Sequence, residues 1–276
     1  MALQEGHEWA AAASRLLEEC VESWNLRIGD RFPSGEASLT HAALTAGGEE
    51  VVLKIGMPHR ESEHESAALE QWAGNGAVRL LAEDPSRHAL LLERCFPGTP
   101  LADLDQDAAL DVMMGLYPRL WLPAGAPFRP LAEEAAWWID YLPRKWETIG
   151  RPFERSLVNS AVTELEELRG TQGEQVLLHQ DLHADNVLRA EREAWLVIDP
   201  KPLVGEREFG IAAMVRGGEL GHGATNVRHR LDRLTAELGL DRERARGWAL
   251  GQTLAWAFDE RGELRRLVEC ARWLLS

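Results

Sequence analysis

The sequence predicts an α+β protein of two lobes, a small antiparallel sheet followed by a larger helical body. Segments with strand-like alternation crowd into the first third of the chain, and long segments with helical spacing fill the remainder. Between them stands "FPGTP", residues 96–100, whose two prolines and one glycine disfavour both regular structures. The expected lobes are therefore residues 1–95 and 96–276. With 45% hydrophobic residues in 276, there is material for a core in each.

The elements follow in order. "MALQEGHEWAAAASRLLEECVESW" contains an alanine run bracketed by Glu5, Glu8, Glu18 and Glu19, with no basic segment before a long apolar stretch. It reads as an amphipathic helix and not as a signal sequence. "NLRIGDRF", "ASLTHAALTA" and "EEVVLKIG" alternate or cluster apolar residues, and the turns "PSGE" and "GGE" separate them into a three-strand meander. "RESEHESAALEQWAGNG" has helical spacing, with Ala68, Leu69 and Trp72 on one face and Gly74 and Gly76 as stops. "GAVRLLAED" and "HALLLERC" add two strands joined by the turn "DPSR", so the first lobe has five strands and a helix. Beyond the connector, "LDQDAALDVMMGLYPRLW", "RPLAEEAAWWIDYLPRKWETIG" and "RPFERSLVNSAVTELEELRG" are three helical segments. "VLLHQDLHADNVLRAEREAWLVIDPKP" then reads as two or three short strands around a turn. Four helices close the chain, "VGEREFGIAAMVRGG", "NVRHRLDRLTAELG", "DRERARGWALGQTLAWAFDE" and "GELRRLVECARWLL".

Composition excludes several classes. Thirty basic against forty-five acidic side chains give a formal charge of −15, which argues against a nucleic-acid partner, since phosphate contacts need clustered Lys and Arg. A cationic partner suits this charge, as does simple solubility. Cys20, Cys95 and Cys270 are widely spaced without a CxxC pair, so neither a disulfide framework nor a zinc site is indicated, and a reducing compartment is expected. No run of about eighteen uncharged apolar residues offers a membrane span. The expectation is a cytoplasmic protein, monomer or weak dimer, with no membrane partner.

The chemistry-bearing residues concentrate around Asp181, Asn186 and Asp199, each beside a strand-like run, "VLL" before and "AWLVI" after. Protein kinases use Asp and Asn at this same step, followed by a metal-binding Asp at the end of a later strand. Lys54 in "VVLKIG" is a charge in an otherwise apolar strand, which costs desolvation unless an anion sits against it. The alternative for Lys54 is an edge strand with the ammonium in solvent.

"HQDLHADN" followed by "VIDPKPLVGE" resembles the aminoglycoside phosphotransferase family, and "IDPKPLVG" is similar to its streptomycin 6-kinase and hydroxyurea-kinase branch. The resemblance extends to "GNGAVRLL" and "ALLLER" early in the chain and "LGLDRERARGWALGQ" near its end. It implies a protein-kinase-like fold and transfer of the terminal phosphoryl group of ATP, with Mg2+, to a small-molecule hydroxyl, in the first instance on a cationic aminoglycoside of the streptomycin type. Two alternatives stand beside it: a kinase of another small molecule, such as a hydroxyurea-type drug or a metabolite, and a non-catalytic nucleotide-binding protein.

Carried over residue by residue, the resemblance makes Asp181 the base for the acceptor hydroxyl, and Asn186 and Asp199 the magnesium ligands. Lys54 grips the nucleotide phosphates, steadied by a glutamate for which Glu65 fits best, with Glu61 and Glu63 close by. His183 either hydrogen-bonds the transferred group or braces the loop, and His179 packs beneath it. Ser34 and Gly35 in "FPSGEAS" stand where such kinases cover the phosphates, and Glu93 and Cys95 fall where backbone groups read the adenine edge. The acidic segments "LAEEAAWWIDYL" and "FDERGEL" offer carboxylates to a cationic acceptor or are solvated helix faces. Two residues depart from the pattern. Gln180 stands where glycine is usual, and Gly210 where an aspartate braces the catalytic loop, a task that would shift to Glu206 or Glu208.

Overall fold

The structure is a computed structural model that describes residues 2–32, 38–258 and 262–276. It divides into two compact units, Met1–Thr99 with Arg189–Ile198, and Pro100–Leu188 with Asp199–Ser276.

The first unit opens with helix α1 (Ala2–Ser23) and strands β1 (Arg27–Arg31), β2 (Ser38–Leu44) and β3 (Glu50–Gly56). Helix α2 (Glu65–Trp72) and strands β4 (Leu80–Asp84) and β5 (Ala89–Glu93) complete it. The antiparallel sheet runs β1-β2-β3-β5-β4, so β3 is the central strand. Side chains alternate along it. Val51, Leu53 and Ile55 join a buried cluster with Ala13 and Cys20 of α1, Leu39 and Ala43 of β2, and Ala89 and Leu91 of β5. Lys54, opposite Thr40 on β2 and Leu90 on β5, takes the other face. That interior position removes the edge-strand reading of the lysine. Helix α2 buries Ala68, Leu69 and Trp72 and stops where Ala73 adopts a left-handed setting, its N–H bonding the Leu69 and Glu70 carbonyls.

The second unit contains helices α3 (Gln106–Leu120), α4 (Leu131–Thr148) and α5 (Arg155–Arg169) and the short strands β6 (Arg129–Pro130), β7 (Val176–Leu178) and β8 (Val187–Arg189). After β9 (Trp195–Val197) come β10 (Leu203–Gly205), α6 (Arg207–Gly210), α7 (Ala212–Arg216), α8 (Ala224–Leu238), α9 (Arg242–Ala257) and α10 (Leu264–Leu275). Strand β10 lies between β6, parallel, and β7, antiparallel. The segment expected as one helix from Val204 is thus a strand end and two short helices. Gly205 accounts for the strand: a Cβ there would lie 2.5 Å from the Leu131 Cβ, so only glycine lets β10 pass that close to α4.

Helix α9 is the hub. Trp248, Leu250 and Leu254 are fully buried, and α4, α5, α7, α8 and α10 all pack on it. At Gly251 a Cβ would stand 2.5 Å from Leu165 Cδ2, so α5 approaches nearly to the α9 backbone.

A boundary at 95/96 would assign everything after the connector to the second lobe, but Arg189–Ile198 packs with the first unit. Val197 pairs in parallel with Ala77. The Arg192 guanidinium donates to both Glu93 carboxylate oxygens at 2.7 and 2.9 Å, and to the carbonyls of Gly74 and Ala77 at 2.7 and 3.0 Å. One arginine satisfying two sheet-lobe carbonyls is a contact no periodicity announces.

Candidate active site

In the first unit, Lys54 Nζ donates to both oxygens of Glu65, at 2.6 and 2.7 Å. Both residues are buried, Lys54 at 7% and Glu65 at 5% exposure, so the ion pair is held out of bulk water. Of the glutamates considered, Glu63 is exposed and Glu61 lies 3.7 Å from His59, which leaves Glu65 at the head of α2 as the partner. Ser34 and Gly35 lie outside the described residues. The Glu93 carboxylate is tied to Arg192 and to the Arg79 N–H, and the Glu93 N–H donates to the Arg79 carbonyl at 2.9 Å. That N–H is therefore spent inside the unit and does not read a base. Burial, with Glu93 adding to it, pushes the Cys95 thiol up to about 12, so the thiol is unreactive.

In the second unit the loop after β7 builds around Asp181. The Asp181 N–H donates to the His179 carbonyl at 2.8 Å, and Asn186 Nδ2 returns to the Asp181 carbonyl at 2.8 Å. The five-residue step between Asp and Asn thus closes on itself. Asp181 Oδ2 accepts from Lys201 Nζ at 2.7 Å, and Oδ1 accepts from Arg216 at 3.1 Å. Burial alone would raise the Asp181 carboxyl, but Lys201, His183 and Arg216 outweigh it and hold the group below the usual carboxylate range. The side chain is an anion that cations keep ionised.

His183 sits with Nε2 3.9 Å from Asp181 Oδ1 and 3.2 Å from Asn186 Nδ2. Its Nδ1 is 3.7 Å from Glu219 Oε1, and that same oxygen accepts the Ala184 N–H at 2.9 Å. Burial disfavours an imidazolium there, yet Glu219 and Asp181 raise the His183 pKa above its ordinary value. Burial likewise disfavours the Glu219 anion, and His183 draws it down to about 2. Of the two roles open to His183, the loop brace has its partners in place. His179 is buried.

Asp199 follows β9 at φ +56, a left-handed setting that aspartate tolerates better than most residues. Among the described residues, ligand-capable atoms of His183, Asp185 and Glu219 lie within 4.8 Å of one another. This grouping is the His183 ion pair with a neighbouring carboxylate. Asn186 and Asp199 carry donors suited to magnesium: with Nδ2 committed to the Asp181 carbonyl, the Asn186 amide offers oxygen, and an amide oxygen with a carboxylate is the donor chemistry a hard divalent cation takes. Of the acidic segments, "LAEEAAWWIDYL" spends Glu134 on the Arg129 guanidinium at 2.8 Å, and residues 259–261 of "FDERGEL" lie outside the described residues.

Both departures from the family pattern have a structural account. Gln180 stands at φ +65, where glycine is cheapest, and its side chain is buried with neither amide atom hydrogen-bonded. A Cβ on Gly210 would lie 2.7 Å from Trp121 Nε1, so the indole occupies the room an aspartate needs. Gln252 of α9 braces the loop instead, donating to the Gln180 carbonyl at 2.8 Å. Glu206 acts one layer back. It accepts from Trp248 Nε1, from Arg244 at 2.8 and 2.9 Å and from the Gly173 N–H at 3.0 Å, anchoring the helix that carries Gln252. Glu208 accepts from the Asp241 N–H and takes no part in the loop.

Sequence reasoning missed Lys201, Arg216, Glu219, Gln252 and Trp256. Lys201 stood in plain view in "IDPKP", and Arg216 and Glu219 flank a glycine pair after an apolar run, which is a usable signal. Gln252 is a fully buried amide in a helix apolar nearly all round, a second signal. Trp256 carries none.

The lysine–glutamate pair on a central strand and a helix of the first unit and, in the second, the aspartate–asparagine loop closed on itself are parts of a protein-kinase-like fold. Solved structures agree on that fold. An aminoglycoside phosphotransferase in ternary complex with ADP and hygromycin B superposes with TM-score 0.67 at 15% identity, covering 93% of this chain and 95% of the other. A choline kinase from Streptococcus pneumoniae gives TM-score 0.68 at 13% identity over 95% and 98%. Residues 23–261 match the aminoglycoside/hydroxyurea antibiotic resistance kinase family, and the chain belongs to it. It is 40% identical to the streptomycin 6-kinase of Streptomyces glaucescens over 91% of this chain and 84% of that one. It is 39% identical to the hydroxyurea phosphotransferase of Kitasatospora aureofaciens over 98% and 81%. The enzyme is a phosphotransferase of this family.

Proposed function

We propose that this enzyme transfers the γ-phosphoryl group of ATP to a hydroxyl of a streptomycin-type aminoglycoside, with Asp181 as the base. The observation that carries the reading is the Asp181 loop, an ionised carboxylate oriented by two cations and closed by Asn186. Phosphoryl transfer asks the protein mainly for positioning and charge compensation, which such a loop supplies. Asp181 orients the acceptor hydroxyl and receives its proton. Lys54, held by Glu65, grips the nucleotide phosphates. Asn186 and Asp199 would hold Mg2+, which when bound would neutralise phosphate charge. The likeness to a hydroxyurea phosphotransferase supports a second acceptor, hydroxyurea, at the same residues.

The test is a purified enzyme with labelled ATP and streptomycin, hygromycin B and hydroxyurea as acceptors. Labelled streptomycin is expected. Labelling of hydroxyurea alone would replace the acceptor and leave the residues standing. Asp181→Asn should lose roughly 10²- to 10⁴-fold in turnover, the usual worth of a positioned base, while still binding ATP. Wild-type turnover in that variant would overturn the assignment of the base.

A further inference from the structure

The Asp181 carboxylate is gripped from two sides by residues with different freedom. Arg216 is buried, its side chain 6% exposed, and its backbone is fixed on both flanks. Arg230, fully buried, donates to the carbonyls of Val215 at 3.0 and 3.1 Å and Gly217 at 2.7 Å, and Arg266 donates to the Arg216 carbonyl at 3.0 Å. Lys201 faces outward, its side chain 29% exposed, and its N–H bonds the His179 carbonyl at 3.0 Å. The Trp256 ring serves both cations, with Lys201 Nζ 4.6 Å and Arg216 Cζ 4.4 Å from its centroid. An aromatic face attracts a cation at this range and restricts where it sits.

We propose that Lys201 is a positioning residue for phosphoryl transfer. Its ammonium on Oδ2, with Arg216 on Oδ1, fixes the plane of the Asp181 carboxylate, and Trp256 keeps the ammonium there. Each carboxylate oxygen has a second lone pair, so two N–H donors leave room for the acceptor hydroxyl to donate. In the step served, the acceptor oxygen forms a bond to the γ-phosphorus and its proton passes to Asp181. The bond from that phosphorus to the bridging oxygen breaks, and its electron pair leaves on ADP. The Lys201–Asp181 pair is part-buried, and with Arg216 still on Oδ1 the Asp181 anion keeps a cation when Lys201 is removed, so the loss of stability is limited. A misoriented base, in contrast, lowers the rate directly.

This inference rests on Asp181 being the base, so Asp181→Asn is measured alongside. Lys201→Met, Lys201→Arg and Trp256→Leu are compared with the wild type for kcat, for KM of ATP and of streptomycin or hydroxyurea, whichever is phosphorylated, and for thermal midpoint. Lys201→Met is expected to lower kcat by roughly 10- to 100-fold, as loss of orientation does, with KM for ATP and the midpoint nearly unchanged. Lys201→Arg should recover most of the rate, and Trp256→Leu should fall between. Wild-type kcat in Lys201→Met beside an inactive Asp181→Asn would overturn the role of Lys201 alone. A rate loss matched by a fall in midpoint in both lysine variants would reduce it to a strut, and an active Asp181→Asn would remove the base and this role together.

Discussion

Replacing Gly210 by alanine tests whether the Trp121 indole leaves room for a side chain at this position. The added Cβ would stand 2.7 Å from Trp121 Nε1, 3.2 Å from Trp121 Cε2 and 3.3 Å from Leu178 Cδ2. The first contact is roughly 0.8 Å short of the ~3.5 Å at which heavy atoms rest comfortably. The indole, half-buried, stacks on Tyr117 with centroids 5.1 Å apart, and Tyr117 is buried, so withdrawal would break that stack. Overpacking of this kind costs about 1–3 kcal/mol. Alanine is also a better helix former than glycine by up to about 1 kcal/mol, which offsets part of the loss. A double-mutant cycle with Trp121→Leu separates the two, since the backbone gain is common to both backgrounds. The expected result, from urea midpoints followed by tryptophan fluorescence, is a coupling of about 1 kcal/mol or more, with Gly210→Ala much better tolerated in the Trp121→Leu background than in the wild type. A coupling within the ~0.3 kcal/mol typical of independent sites would show that the indole moves freely, and the steric account would fail.

Three further outcomes are expected. Lys54→Ala should lower kcat/KM by roughly a hundredfold or more through lost charge compensation, and Glu65→Gln should act in the same direction; steady-state kinetics on the folded variants decide it. The thiols of Cys20, Cys95 and Cys270 are buried, with Cys95 pushed up to about 12 and Cys270 to about 11, so an aromatic disulfide reagent at mild alkaline pH should label them only after denaturant unfolds the chain. Arg272 holds the Glu154 carboxyl, ordinarily near 4.5, down to about 2. A lowered folded pKa contributes stability that is full above the unfolded value and is lost as pH falls toward the folded one. The pair is half exposed and worth at most about 1 kcal/mol, so Arg272→Gln should lie slightly below wild type in thermal midpoint at neutral pH, and the gap should close by pH 2–3.

Local periodicity was enough to reveal most elements. Apolar alternation marked β1 to β5 and placed Lys54 on a strand, because a strand's two faces are written at period two. Helical spacing marked α2 to α5 and α8 to α10, and the Asp181 to Asn186 step was visible because both residues belong to one short loop that closes on itself. Glu65 was favoured over Glu61 and Glu63 from the sequence, and its contact with Lys54 is made by packing. The opening of the segment from Val204 as strand β10, and the attachment of Arg189–Ile198 to the first unit, depended on a close backbone approach at Gly205 and on Arg192 finding distant carbonyls. The surroundings of Asp181 were the least legible. Arg216 lies 35 residues beyond it, and Gln252 reaches the loop across 72. The sequence by itself determined which groups could do chemistry, since residue type and local spacing are written in it. Which arginine, amide and indole surround the Asp181 loop was decided only when α7 and α9 packed against it, because side chains far apart in the chain meet through the geometry of burial and not through any repeat along it.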